Sequence, residues 1–126
     1  MALIKLISMF FVVLASIGIS VEAVAQKWLA AEDANTQKAA IRALAYLPSP
    51  MTRTLLRQQL EHHDAECRAQ TVVAIAPLAD EEEKIAILSL AKDPSLYVRR
   101  ALVESIAKWH WTECVETLLI LLSDTQ

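Results

Sequence analysis

Thr36-Gln37-Lys38-Ala39-Ala40-Ile41-Arg42-Ala43-Leu44-Ala45-Tyr46-Leu47 returns 31 positions later as Cys67-Arg68-Ala69-Gln70-Thr71-Val72-Val73-Ala74-Ile75-Ala76-Pro77-Leu78. It returns after a further 31 as Val98-Arg99-Arg100-Ala101-Leu102-Val103-Glu104-Ser105-Ile106-Ala107-Lys108-Trp109. The columns Ile41/Val72/Val103, Leu44/Ile75/Ile106 and Ala45/Ala76/Ala107 stay apolar throughout. A fixed period of this length is the mark of stacked helical repeats. It predicts an all-α chain, a right-handed α-solenoid of about three antiparallel helix pairs. The three apolar columns are expected to form one continuous seam.

Outward from these strings, each repeat reads as an A helix followed by a B helix. The A helices are expected near 34–47, 65–78 and 95–109, the B helices near 50–61, 81–92 and 112–123. In B the matching apolar columns are Leu56/Ile87/Leu118 and Leu60/Ala91/Leu122, four residues apart on one face. Asp80 with Glu83 three residues on reads as a capping box. Asp93-Pro94 reads as an N-cap acceptor before a proline at the first helical position. Pro77 is expected to end its A helix near Ala76. The period also reaches backward, since Trp28 and Leu29 precede Gln59 and Leu60 by 31. That segment is expected to be the last turn of an incomplete B helix at the N-terminal end.

The string Asp93-Pro94-Ser95-Leu96-Tyr97-Val98-Arg99-Arg100-Ala101-Leu102-Val103-Glu104-Ser105-Ile106 resembles the A helix of a HEAT repeat, of the short kind shared with phycobilisome lyases. The resemblance covers about 34–123, with repeats near 34–61, 65–92 and 95–123. It implies a protein that holds other proteins on a curved face lined by B helices. It also implies that Arg68 and Arg99 join a ladder with acidic residues of neighbouring repeats, for which Asp64 and Asp93 are the candidates.

The N-terminus has a different character. Lys5 is the one positive charge before Leu6 to Val21, which carry no charge, and Ala23-Val24-Ala25 follows as a small-x-small triplet. That order predicts a signal peptide over 1–25, cleaved before Gln26, leaving a repeat domain over 26–126 and a periplasmic or secreted product. An uncleaved leader acting as a membrane anchor is the alternative. Removing 1–25 leaves the net charge at −3. A mildly acidic chain with no basic stripe is a poor match to nucleic acid or to an anionic membrane surface. The only glycine, Gly18, lies in the leader. Phosphate-cradling loops and nucleophile elbows need glycine and are thereby excluded.

Little else carries chemistry. His62, His63 and Asp64 are neighbours whose side chains point apart on regular backbone, so a solvated turn is expected there. His110 and Cys114 lack a third partner for metal binding or catalysis, and His110 is expected as a polar residue of the A–B turn. Cys67 and Cys114 start helices at opposite ends of a layer, roughly 15 Å apart for about ten residues of rise. A disulfide tolerates at most about 7 Å between Cα atoms, so two free thiols are predicted, with Cys67 in the core. No enzyme activity, cofactor or metal site is expected. The outward B-helix columns run from basic to apolar along the array, and this marks Arg53, Arg57, Ile85, Leu88, Val115, Leu119 and Ile120 as the expected partner-binding surface. The last B helix is apolar on nearly every side, so it is expected to be covered by a protein partner or by a second copy in a homodimer. The function read from these features is a non-enzymatic adaptor or scaffold of the cell envelope. A lyase-like chaperone or accessory subunit that presents a protein or chromophore is the alternative.

Overall fold

The computed structural model describes residues 2–16, 21–46 and 50–123. They form helices α1 (Ala2–Ser16), α2 (Val21–Leu29), α3 (Ala34–Leu44), α4 (Pro50–Gln59), α5 (Ala65–Ile75), α6 (Glu81–Leu88), α7 (Leu96–Lys108) and α8 (Val115–Ser123). There is no strand among the described residues. The A helices α3, α5 and α7 start 31 residues apart, and each is preceded by its N-cap: Asp33, Asp64 and Ser95. The side chain of Asp33 accepts from the backbone N–H groups of Asn35 and Thr36, and that of Asp64 from Cys67 N–H at 3.0 Å. Each satisfies donors that the first helical turn leaves without partners.

The third cap departs from expectation. Helix α7 opens at Leu96 on Ser95, whose Oγ accepts from Tyr97 N–H at 3.2 Å. Pro94 therefore lies before the helix and not at its first position. The reason is that the Asp93 carboxylate is engaged elsewhere, as described below. The capping box of α6 forms as read, with Asp80 and Glu83 exchanging bonds at 2.8 and 3.1 Å. Pro77 ends α5 at Ile75 and turns the chain through a 3₁₀ segment, Ala76–Leu78. Without glycine, α7 closes on His110 at φ 54°, the only positive φ on a non-glycine residue among the described residues. Trp111 N–H bonds Ile106 O across it at 3.1 Å, the six-to-one link of a Schellman closure.

One apolar core runs the length of the array. Ile41, Leu44, Leu56, Val72, Ile75, Ile87, Val98 and Leu102 are buried. Each contributes about 1.5–3 kcal/mol relative to exposure. The Leu56/Ile87/Leu118 column lies in or against this core, as do Leu60 and Ala91; the Leu122 side chain lies outside those described. Helix α2 packs on α3 and α4 in the place of a preceding B helix. It is longer than the single turn expected, and it runs unbroken through the Ala25–Gln26 bond, with Ala25 only 1% exposed.

The expected seam breaks at its C-terminal end. Ile41 and Val72 are fully buried, but Val103 is 57% exposed, and Ala107 is exposed where Ala76 is buried. Each A helix turns this column toward the next A helix in the stack. Helix α7 has no successor among the described residues, so its copy of the column faces outward.

Candidate functional site

Of the B-helix residues expected as a partner surface, Arg53 and Arg57 reach across a joint between repeats and Leu88 lies in the core. Arg53 forms an ion pair with Glu83 of the following repeat and donates to Leu78 O at 3.1 Å. Arg57 lies 3.6 Å from the other Glu83 oxygen. Glu83 is buried, so these two guanidinium groups compensate a carboxylate withdrawn from water. In the next repeat Lys84, the column mate of Arg53, reaches Glu113 at 3.3 Å and lies 5.5 Å from the Trp111 ring centre. Leu88, the column mate of Arg57, is 3% exposed and belongs to the core. Arg53 and Leu88 are thus committed within the fold rather than presented outward. Ile85, Val115, Leu119 and Ile120 are exposed.

A parallel joint holds the A helices. Arg68 donates to both carboxylate oxygens of Asp93, from Nε at 2.8 Å and from Nη2 at 3.0 Å. Its Nη1 bonds His62 O and His63 O. Burial pushes the Asp93 carboxyl up, but the Arg68 hydrogen bond and the Ser95 N–H outweigh it, and the net direction is below the ordinary range. Arg99 donates to Asp93 O at 2.6 Å. The ladder implied by the family resemblance is therefore built on Asp93, while Asp64 serves as a helix cap. Asp124, the counterpart of Asp93 one period on, lies outside the described residues.

His62 is not a solvated turn residue. Its Nε2 contacts Gln37 Oε1 at 2.8 Å, and its Nδ1 accepts from Asp64 N–H at 2.9 Å. Gln37 in turn donates to Leu29 O and Ala31 O, tying the end of α2 to the first full repeat. Burial, reinforced by the neighbouring His63 and opposed by Asp64, pushes the His62 imidazole below its ordinary value. His110 lies exposed in the A–B turn, as read. Neither thiol is a ready nucleophile. Both are free and buried, and burial drives Cys67 up to about 11 and Cys114 upward as well. No cluster of His, Cys, Asp and Glu suited to a metal occurs among the described residues.

The feature that sequence reading missed lies on the A side. A cleft of about 510 Å³ crosses α3, α5 and α7 near their C-terminal ends. Its floor includes Ala74 and Val73, Tyr46 and Trp109 line it, and Arg42, Glu104 and Lys108 carry its charges. Tyr46, Val73 and Trp109 are all exposed. Lys108 Nζ lies 5.3 Å from the Trp109 ring centre. The same 31-residue period contained the signal: Arg42/Val73/Glu104 and Tyr46/Pro77/Lys108 are columns on one exposed stripe of the A helices. They escaped notice because their chemistry changes from repeat to repeat. The arrangement offers an apolar floor, two aromatic side chains and both signs of charge. It suits an extended peptide or a helix face better than a reaction.

A family model for HEAT repeats matches residues 21–107, more than half the chain, and the chain belongs to the HEAT-repeat family. HEAT repeats generally mediate protein–protein interaction. No curated protein and no solved structure matches the chain.

Proposed function

We propose that this protein is a non-enzymatic adaptor of the cell envelope that grips a protein segment in the A-side cleft. The cleft carries the proposal. It combines exposed Tyr46, Val73 and Trp109 with Arg42, Glu104 and Lys108, on a scaffold whose joints already consume Arg53, Arg68 and Lys84. Aromatic and arginine side chains over an apolar floor are the composition that concentrates binding energy at protein interfaces. The test is capture from an envelope fraction by the immobilised protein, with substitutions on each face. Val73→Glu and Tyr46→Ala should abolish capture of the specific partner, and Ile85→Glu on the B side should leave it intact. Equal capture by all three would sink the assignment.

The envelope address rests on the leader, with its positive start, uncharged centre and Ala23-Val24-Ala25 exit. One observation favours the second reading, a retained anchor. The expected cleavage site falls inside α2, where Ala25 is in the core, and α1 leaves Leu3, Leu6, Met9, Phe10, Val12 and Val13 exposed. No helix among the described residues is long and apolar enough to cross a membrane. N-terminal sequencing of the protein recovered from cells separates the two. A start at Gln26 supports export and processing, and an intact leader supports the anchor.

A further inference from the structure

We propose that the occupant of the A-side cleft is an amphipathic helix whose apolar stripe is bordered by an acidic residue on one edge and a basic residue on the other. This rests on the cleft being the docking site, as proposed, and names the chemistry of what docks there.

The shape of the cleft favours a helix. Helix α5 packs against both α3 and α7, which form the two walls. The floor is one stripe of α5 and the turn after it, from Gln70 through Val73 and Ala74 to Pro77. It is about 10 Å long, or about two helical turns. Neighbouring helix axes lie about 8–10 Å apart, so the walls stand roughly 16–20 Å apart from axis to axis. A helix laid along α5, about 10–12 Å across with its side chains, reaches the floor and both walls at once. An extended strand does not. Its side chains point toward the floor and away from it, and its edges carry only backbone groups.

The charges set the borders of the stripe. Arg42, Val73 and Glu104 are one column of the 31-residue period, so they stand at one level on α3, α5 and α7. That level carries a cation on one wall, an anion on the other, and between them Val73, 54% exposed. Arg42 and Glu104 are exposed, and neither forms an ion pair among the described residues. The width of the floor keeps them from pairing with each other. An occupant with one sign of charge at this level gains at one wall and is repelled at the other. An acid toward Arg42, a base toward Glu104 and an apolar residue on Val73 complement all three.

Three display libraries of helical peptides test this against the purified full chain. They share a varied apolar stripe and differ in the two residues that border its centre: an acid and a base, two acids, or two bases. By fluorescence anisotropy, the best binders with an acid and a base should hold roughly tenfold more tightly, or better, than the best of either other kind. Glu104→Lys should turn the preference to two acids, and Arg42→Glu should turn it to two bases. A turned preference is a gain of binding that loss of folding cannot imitate. Equal affinity from the three libraries, no binder from any of them, a preference unmoved by both substitutions, or tighter binding by proline-rich extended peptides would overturn the proposal. The adaptor reading is judged separately, by the loss of envelope capture in Val73→Glu, and can stand where these results fail.

Discussion

His62 shows how much of the joint between α2 and the first repeat rests on one side chain being neutral. Its ring holds Gln37 Oε1 on one side and Asp64 N–H on the other, and Gln37 carries the link to Leu29 and Ala31. A protonated ring has no acceptor for the Asp64 N–H. The folded pKa lies below the ordinary 6.5, chiefly through burial. The unfolded chain therefore binds the proton first, and stability falls as pH drops below about 6.5. His62→Ala should cost about 1 kcal/mol at pH 7.5, where the hydrogen bonds are intact. The gap to the unsubstituted protein should shrink as the pH is lowered to about 5, where the native ring is itself penalised. Urea midpoints measured across that range test it, and a gap independent of pH would refute the role given to His62. In the sequence these residues were only a histidine pair beside an aspartate, because Gln37 lies 25 positions away and nothing local announces the pairing.

Among elements, the joints decide stability, and they were legible to different degrees. The helix starts at 34 and 65 followed from the period, while α7 starts at 96 on Ser95 and not on Asp93 as expected, because the Asp93 carboxylate is taken by Arg68. The Arg68–Asp93 bond followed from the family resemblance. What could not be read was which polar column faces water and which faces the neighbouring pair. Arg53 and Arg57 look solvent-facing on their own helix, and their partners Asp80 and Glu83 belong to the next one. Complementary charge one period apart was the available clue. The Arg68–Asp93 bond is the most enclosed of these joints, with side chains 14% and 5% exposed. Arg68→Met would strand a buried carboxylate and should cost about 3 kcal/mol. Adding Asp93→Asn removes the stranded charge, keeps an acceptor for Ser95 N–H, and should recover part of that loss. Denaturant titration of both variants checks the claim, and an undiminished loss in the double variant would place the cost in packing instead.

Across the whole molecule, a stack in which each pair touches only its neighbours is most stable in its middle and opens from its ends. The two thiols report on this difference. Cys67 lies at the start of α5 between α3 and α7, fully buried, with its thiol raised to about 11. Cys114 lies in the last repeat, 7% exposed, just ahead of α8. Reaction of either requires local opening, and opening at the end involves one joint while opening at the centre involves two. In single-cysteine variants near pH 8, Cys114 should be modified by a soluble disulfide reagent about tenfold faster than Cys67, or more. Equal rates would mean that the chain opens as one unit, and the picture of separable repeats joined by discrete contacts would fail.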